Sequence, residues 1–172
     1  MKEIINGLSV FVEGNSKNKS IIFLHGFPYD HTMWKAQIEK LSENYFCVSY
    51  DIRGSGESPV GDGQYTMESF VDDLEAIIDQ LKLDKPILCG LSMGGYIGLR
   101  ALERFEEKFS AVVLCDTRAD ADGNEGKSKR AAAIKRINTE GLAPFVKDFI
   151  TNCFGDDYKQ TNPEELEKII AK

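Results

Sequence analysis

Four short runs of apolar residues recur along the first part of the chain. They cover residues 20–24, 46–50, 86–90 and 111–115. Each run is nearly continuous in apolar side chains, which is typical of a strand covered on both faces of a sheet. Because segments of helical length separate the runs, the pattern predicts a mostly parallel sheet with helices on both faces, an α/β fold.

The segments between these runs carry helical periodicity. Apolar side chains recur at intervals of three and four within residues 32–43, 70–81 and 93–105, which predicts one amphipathic helix in each. Thr66 is placed to cap the second of these helices. Before the first run, Asn6-Gly7 lies between two short apolar stretches, and this dipeptide favours the tight turn of a β-hairpin.

The pattern changes after Asp116. A polar loop over 120–126 is followed by three segments with helical character, near 127–138, 142–154 and 163–172, with no further strand. We therefore predict two parts: residues 1–122 as the N-terminal part of an α/β core, and residues 123–172 as a helical cap segment.

The last segment, residues 163–172, predicts a helix with a well-formed start. Asn162 can cap it, Pro163 suits the first helical position, and Glu165 can reach back to the cap. Its apolar face runs to the final residues without a terminating glycine. We expect from this that the chain is an N-terminal portion of a longer protein that lacks the later core strands.

Composition narrows the class of protein. Apolar residues make up 42% of the chain and charged residues 28%, as in ordinary globular domains. The net charge of -7 argues against a nucleic-acid binder, which would be basic. No apolar run approaches the roughly 20 residues of a membrane span, and the N-terminus lacks the apolar core of a signal peptide. We expect a cytoplasmic protein with no membrane partner.

Cysteine and histidine give little support for a metal site. The four cysteines, Cys47, Cys89, Cys115 and Cys153, include no pair at C-x-x-C spacing, and the only histidines are His25 and His31. Three of the cysteines lie in apolar runs, where a thiol behaves as a small hydrophobic group. The sequence predicts reduced thiols, no metal and no cofactor.

Ser92 lies in the sequence Gly-Leu-Ser-Met-Gly at residues 90–94, between a predicted buried strand and a predicted helix. A serine in this context forms a nucleophile elbow, a sharp turn that exposes its hydroxyl at the end of the sheet. Gly90, Gly94 and Gly95 leave room for that turn. The helix N-terminus also favours developing negative charge. Ser92 is the candidate nucleophile.

The loop after the first apolar run supplies the second part of the chemistry. It reads His25-Gly26-Phe27-Pro28. Acyl transfer requires two backbone N–H groups directed at the carbonyl oxygen as it becomes tetrahedral. One comes from the residue after the nucleophile, Met93, and the other from this loop, where Phe27 is the best candidate because Pro28 has no N–H.

Together with Asp51-Ile52-Arg53-Gly54-Ser55-Gly56-Glu57-Ser58, these two motifs resemble the α/β-hydrolase superfamily in kind and order. The chain is most similar to the cap-bearing branch of esterases, enol-lactonases and haloperoxidase-like enzymes. The resemblance implies that His25, Gly26, Asp51 and Arg53 support the site structurally. For Asp51 and Arg53 we expect hydrogen bonds that fix the glycine-rich loop.

The resemblance also implies a triad of Ser, then Asp or Glu, then His, with the acid and the base after later strands. The chain reaches neither expected position. His25 and His31 are poor substitutes as a base, and Asp116 as the acid would have no later histidine to orient. Because a serine hydroxyl is a weak nucleophile without a base, we expect this chain alone to be nearly inactive.

Two functions remain open. The leading hypothesis is hydrolysis of a small-molecule ester, lactone or thioester through an acyl-enzyme on Ser92, with perhydrolase chemistry possible at the same serine. The alternative is a non-catalytic hydrolase-like scaffold that binds a small molecule or a protein. An unpaired sheet edge in the fragment also predicts self-association.

Overall fold

The computed structural model describes residues 1–61, 63 and 65–171. In this part of the chain, six strands form one mixed sheet in the order β1-β2-β4-β3-β5-β6. The strands are β1 Lys2–Ile5, β2 Leu8–Glu13, β3 Ser20–Leu24, β4 Phe46–Tyr50, β5 Ile87–Leu91 and β6 Ala111–Cys115. The four predicted apolar runs are thus β3 to β6, and the predicted α/β fold class is confirmed.

Three longer helices connect these strands. They are α1 Lys35–Leu41, α2 Met67–Gln80 and α3 Met93–Phe105, with short 3₁₀ helices at His31–Trp34 and Glu106–Lys108. The Thr66 side chain caps α2 by accepting a hydrogen bond from the Ser69 N–H. The predicted helix over 32–43 differs in detail. It begins as a 3₁₀ turn because the Asp30 carboxylate accepts the Thr32 N–H and fixes the first residues.

Alternating side chains of the central strands build two separate cores. In β3, Ile22 and Leu24 pack with α2 and α3 on one face, while Ile21 and Phe23 pack with Trp34 and α1 on the other. Successive strand residues point to opposite faces, so a strand between two helical layers must be apolar throughout. This explains why the central runs show no polar alternation.

The strands β3 to β6 pair with one another in parallel, whereas β1 and β2 pair antiparallel with their neighbours. β3 pairs in parallel with β4 and with β5, and β5 with β6, so the carboxyl ends of these strands share one edge. β1 and β2 form the predicted hairpin, with Asn6 at φ 50° and Gly7 at φ 79°. β2 then pairs antiparallel with β4. Residues that follow β3, β4, β5 and β6 can therefore meet in one site.

The chain divides into two compact units, Met1–Ala119 and Asp120–Lys172. The second unit contains α4 Asn124–Glu140, α5 Leu142–Asn152, α6 Asp156–Thr161 and α7 Pro163–Ile170. The helix α6 has no counterpart among the predicted segments. In the described part of the chain, no helix combines the length and apolar composition that a membrane crossing requires.

The predicted capping of α7 is wrong. Asn162 makes no side-chain cap, and its amide instead donates to the Thr161 hydroxyl. The Asn162 N–H bonds back to the Tyr158 carbonyl, so this residue closes α6 at the same time as it opens α7. A residue held by the preceding helix is not free to take the extended conformation that a capping side chain needs.

Candidate active site

Ser92 occupies a sharp turn between β5 and α3. Its backbone has φ 50° and ψ -112°, a conformation rarely found outside glycine. The turn is held on both sides: the Ser92 N–H donates to the Cys115 carbonyl at 3.0 Å, and the Ser92 carbonyl accepts the Gly95 N–H at 2.9 Å. Such strain is retained where the surroundings over-determine it, as at functional sites.

Glycines surround the turn because other backbone approaches it closely. A Cβ on Gly90 would lie 2.5 Å from the Gly94 carbonyl oxygen, and one on Gly94 would collide with the Leu24 carbonyl. At Gly95 a Cβ would meet the Thr117 side chain at 2.5 Å. These contacts give a steric reason for each of the three predicted elbow glycines.

Thr117 is a positioning residue that the sequence reasoning missed. Its hydroxyl donates to the Ser92 carbonyl at 2.9 Å, and its side chain lies over the space beside Gly95. Thr117 follows β6, which pairs in parallel with β5, so it emerges next to Ser92. A polar residue just after the strand next to the nucleophile strand is the signal that could have indicated it.

The loop after β3 lies directly against the nucleophile. A Cβ on Gly26 would be 3.3 Å from the Ser92 Cβ and 2.9 Å from the Leu91 side chain. Met93 is the first residue of α3, so its N–H points out of the helix end. Within the described residues this N–H has no hydrogen-bond acceptor. Phe27 lies beside Gly26 in the same loop, with its side chain 44% exposed.

Both ring nitrogens of His25 are hydrogen-bonded to backbone groups. Its Nε2 accepts the Ile52 N–H at 3.0 Å, so Nδ1 carries the proton and donates to the Gly26 carbonyl at 3.0 Å. The side chain is fully buried, and this burial lowers the pKa of His25 from its usual 6.5. The neutral imidazole therefore joins the loops after β3 and β4, and it offers no free nitrogen to the serine.

His31 belongs to a second polar group centred on Asp51. Both the His31 N–H and its Nδ1 lie 2.8 Å from one oxygen of the buried Asp51 carboxylate. The ring stacks on Phe11 with centroids 3.5 Å apart. Phe11 belongs to β2, and β4 and β3 lie between β2 and the strand that carries Ser92. Both histidines are thus bonded to groups other than the serine.

The Ser92 hydroxyl itself has no hydrogen-bond partner among residues 1–61, 63 and 65–171. In a serine hydrolase, this hydroxyl must transfer its proton to a base as it attacks. The structure therefore brings together Ser92, the candidate nucleophile, and the loop after β3, for which an oxyanion donor is predicted. It brings no histidine to the serine.

Asp51 holds the loop that follows β4. Its second oxygen accepts the Glu57 N–H at 2.8 Å, and its backbone carbonyl accepts the Ser58 hydroxyl at 2.6 Å. At Gly56, with φ 51°, a Cβ would overlap the Asp51 carboxylate, so only glycine lets the loop fold this tightly around the acid. These hydrogen bonds hold the loop after β4 around Asp51.

Arg53 acts over a longer range than its own loop. Its Nε and Nη2 donate to the two oxygens of Asp73 in α2, each at 2.8 Å. Asp73 is buried and also accepts from the Asn6 amide at 2.9 Å. The pair ties the loop after β4 to α2 and to the first hairpin. Sequence alone could not show this because Asp73 is twenty positions away.

Among the described residues, one cluster of side chains could hold a metal ion. It consists of Asp30, His31 and Asp51, whose candidate ligand atoms lie within 4.8 Å of one another. The geometry fits a hydrogen-bonded network better. Asp51 already accepts N–H groups on both oxygens, and Asp30 accepts from Thr32. A metal would have to displace these donors from a buried acid.

Of the three cysteines in the apolar runs, Cys115 is only half-buried. Cys47 and Cys89 are buried, and burial raises the pKa of Cys47 to about 11 and that of Cys89 to about 12. Thiols with such pKa values stay protonated at neutral pH, and a protonated thiol is a poor nucleophile or metal ligand. Cys153 is exposed.

The family model described as alpha/beta hydrolase fold matches residues 19–146. The chain belongs to the α/β-hydrolase family. The predicted resemblance is therefore confirmed, and the matched range includes Ser92, the loop after β3 and the loop after β4.

Several of the similar proteins are esterases or enol-lactonases. The chain is 32% identical over 163 residues to 3-oxoadipate enol-lactonase 1 of Acinetobacter baylyi, covering 95% of this chain and 60% of that protein. It superimposes with a TM-score of 0.87 and 32% identity on a thermophilic esterase from Thermogutta terrifontis, covering 99% of this chain and 65% of that one. For an enol-lactonase from Burkholderia xenovorans the TM-score is 0.85 at 28% identity, covering 99% and 66%. The chain spans about three fifths of the length of its curated enol-lactonase relatives.

Proposed function

We propose that this α/β-hydrolase acts on a small-molecule ester or lactone through an acyl-enzyme on Ser92. The observation that carries the proposal is the strained Ser92 turn with the Gly26 loop against its side chain. Relatives that are esterases and enol-lactonases support the substrate class. A thioester, or a peroxide in place of water, would use the same serine chemistry.

In the proposed reaction, the Ser92 Oγ attacks the carbonyl carbon and gives up its proton to a base. The carbonyl oxygen becomes an oxyanion, and the N–H groups of Met93 and Phe27 stabilise it. Collapse of the intermediate breaks the bond to the leaving oxygen, which takes the proton. Water then attacks the acyl-enzyme and frees the acid and the serine.

Removal of the Ser92 hydroxyl proton by a base is the step that the two histidines of this chain support poorly. Both ring nitrogens of His25 are hydrogen-bonded to backbone, and His31, which bonds Asp51 through Nδ1, makes no hydrogen bond to the Ser92 hydroxyl. Loss of the base in a serine hydrolase costs on the order of 10⁶ in turnover. We therefore propose that the 172-residue chain alone turns over its substrate very slowly.

Chemical rescue by a free base tests the function despite the slow turnover. Imidazole added to the buffer can accept the serine proton, so we expect it to accelerate acylation of Ser92 by a p-nitrophenyl ester. Mass spectrometry would locate the acyl group on the peptide that carries Ser92, and Ser92→Ala would abolish it. Ser69→Ala, which removes a half-buried serine hydroxyl in contact with the Thr66 hydroxyl, is the matched control.

The outcomes separate the two hypotheses. Imidazole-dependent acylation at Ser92 supports the hydrolase. Absence of acylation in a folded protein, together with tight binding of a small ligand, supports the non-catalytic scaffold. Fast Ser92-dependent hydrolysis without imidazole would contradict the proposed weakness of base activation and leave the hydrolase assignment in place.

We also propose that the chain self-associates through β6. Among the described strands β6 pairs only with β5, and its Val113 and Leu114 are 46% and 44% exposed. An exposed apolar edge strand is a template for pairing with another chain. Sedimentation at micromolar concentration should show a dimer that Val113→Lys weakens, and a monomer at all concentrations would contradict the proposal.

A further inference from the structure

A concave surface lies at the end of the sheet opposite Ser92. The loop between β2 and β3 and the loop between α2 and β5 line a groove of about 1010 Å³. Ser20 and Phe46, the first residues of β3 and β4, also line it, which places it at the amino ends of the parallel strands. Its volume is at the upper end of the range for small-molecule sites.

The groove collects the unpaired lysines of its unit. Met1–Ala119 contains eight lysines, and four of them have carboxylate partners: Lys2, Lys35, Lys40 and Lys108. The other four are Lys17, Lys19, Lys82 and Lys85, and all of them line the groove. Within the described residues none of these four ammonium groups has a carboxylate oxygen within 4.0 Å.

The charge of the groove therefore differs in sign from that of the whole chain. Its four lysines outnumber its three acids, Glu3, Glu13 and Asp84, whereas the chain has a net charge of -7. In an acidic protein, a concave surface that keeps its lysines unneutralised attracts anions.

Two of these lysines occupy backbone positions that disfavour them. Lys82 follows the end of α2 with φ 52°, and Lys85 has φ 42°. Glycine or asparagine is usual at such positions because a Cβ is strained there. The dipole of α2 favours a cation at Lys82, but Lys85 adjoins no helix end. Strain of this kind often accompanies function.

We propose that this groove binds a small molecule that carries two linked phosphate groups. The four lysines come in two pairs, one pair on each of two loops that line the groove. A diphosphate presents charge to both. Lysine serves as a point-charge ligand for phosphate oxygens, which matches a site without arginine among its lining residues.

Titration calorimetry with inorganic pyrophosphate in low-salt buffer without metal ions tests the proposal. We expect one site per chain with a Kd of about 1 mM or lower, and orthophosphate about tenfold weaker. Lys82→Gln with Lys85→Gln should weaken pyrophosphate binding about tenfold or more. The matched control, Lys35→Gln with Lys40→Gln, removes two exposed lysines outside the groove and should change Kd less than twofold.

A second double variant, Lys82→Gly with Lys85→Gly, guards against a folding artefact. Glycine suits the positive φ at both positions, so thermal stability should be kept or raised while pyrophosphate binding is lost. Three results would overturn the proposal: no binding at about 5 mM pyrophosphate, equal losses in the groove and control variants, or orthophosphate binding as tightly as pyrophosphate.

Discussion

The two ends of the parallel strands differ in the burial and hydrogen bonding of their polar side chains. At the carboxyl ends, His25, Asp51 and Ser58 are buried, and each is hydrogen-bonded to backbone groups of the loops there. At the amino ends, the lysines of the groove are exposed and unpaired. Buried polar groups need partners to offset their desolvation, and those partners fix geometry. The carboxyl end is organised for positioning, while the amino end keeps charge available to a ligand.

Removing one partner of a buried ion pair should give the largest contrast. Asp73→Asn removes the buried carboxylate that accepts from the Arg53 Nε and Nη2, and we expect a loss of about 3 kcal/mol in the free energy of unfolding. Asp72→Asn is the matched control because Asp72 precedes it in α2, is 61% exposed and pairs with Arg104 at the surface. There we expect less than about 1 kcal/mol. Urea unfolding measures both, and equal losses would contradict the contrast.

The second largest loss of stability is expected when a methyl group is added at the Ser92 turn. Gly94→Ala places a methyl group against the backbone carbonyl of Leu24, which cannot move without disturbing β3, so we expect a loss of about 2–3 kcal/mol. Gly98→Ala in the same helix brings its methyl group 3.3 Å from the end of the buried Leu88 side chain, which has to shift by only a few tenths of an ångström. That change should alter stability by less than about 1 kcal/mol, since alanine also favours the helix. Thermal unfolding of the pair is the measurement.

His25 should make stability depend on pH. Its folded-state pKa is lowered by burial from 6.5, so below that pH the unfolded chain binds the proton more readily. The contribution is complete above pH 6.5 and is lost as the pH falls toward the folded-state pKa.

Urea midpoints of the wild type and His25→Gln at about pH 7.5 and pH 5.5 test this. His25→Gln should lose about 1–2 kcal/mol at the higher pH and less at the lower one. The difference between the two proteins isolates His25 from His31, Asp30 and Asp51, which also face it. A constant difference across pH would contradict the assignment.

The smallest change in stability is expected at the amino ends of the parallel strands, and there it should be a gain. Lys85→Gly removes an unpaired side chain from a residue at φ 42°, so stability should rise by about 0.5–1 kcal/mol. A loss of stability in thermal unfolding would mean that Lys85 supports the fold, and the comparison between the two ends would then fail.

How well the sequence predicts a feature depends on how far apart in the chain the interacting residues lie. The helix α3 begins at Met93 and ends at Phe105 as predicted, because the glycines of the elbow and the apolar face are local signals. The role of Thr117 was missed, since it depends on β6 lying beside β5. α6 was missed because its six residues, Asp156–Thr161, carry almost no apolar pattern.

The sequence by itself determined the α/β class, the elbow at Ser92 and the family, because apolar periodicity and glycine placement act over a few neighbouring residues. Tertiary structure alone decided which polar groups meet. It joined Arg53 to Asp73, and His31 to Asp51, across twenty positions in each case. It also gathered lysines from two loops into one groove. These contacts depend on strand order, which brings distant residues together at the ends of the sheet.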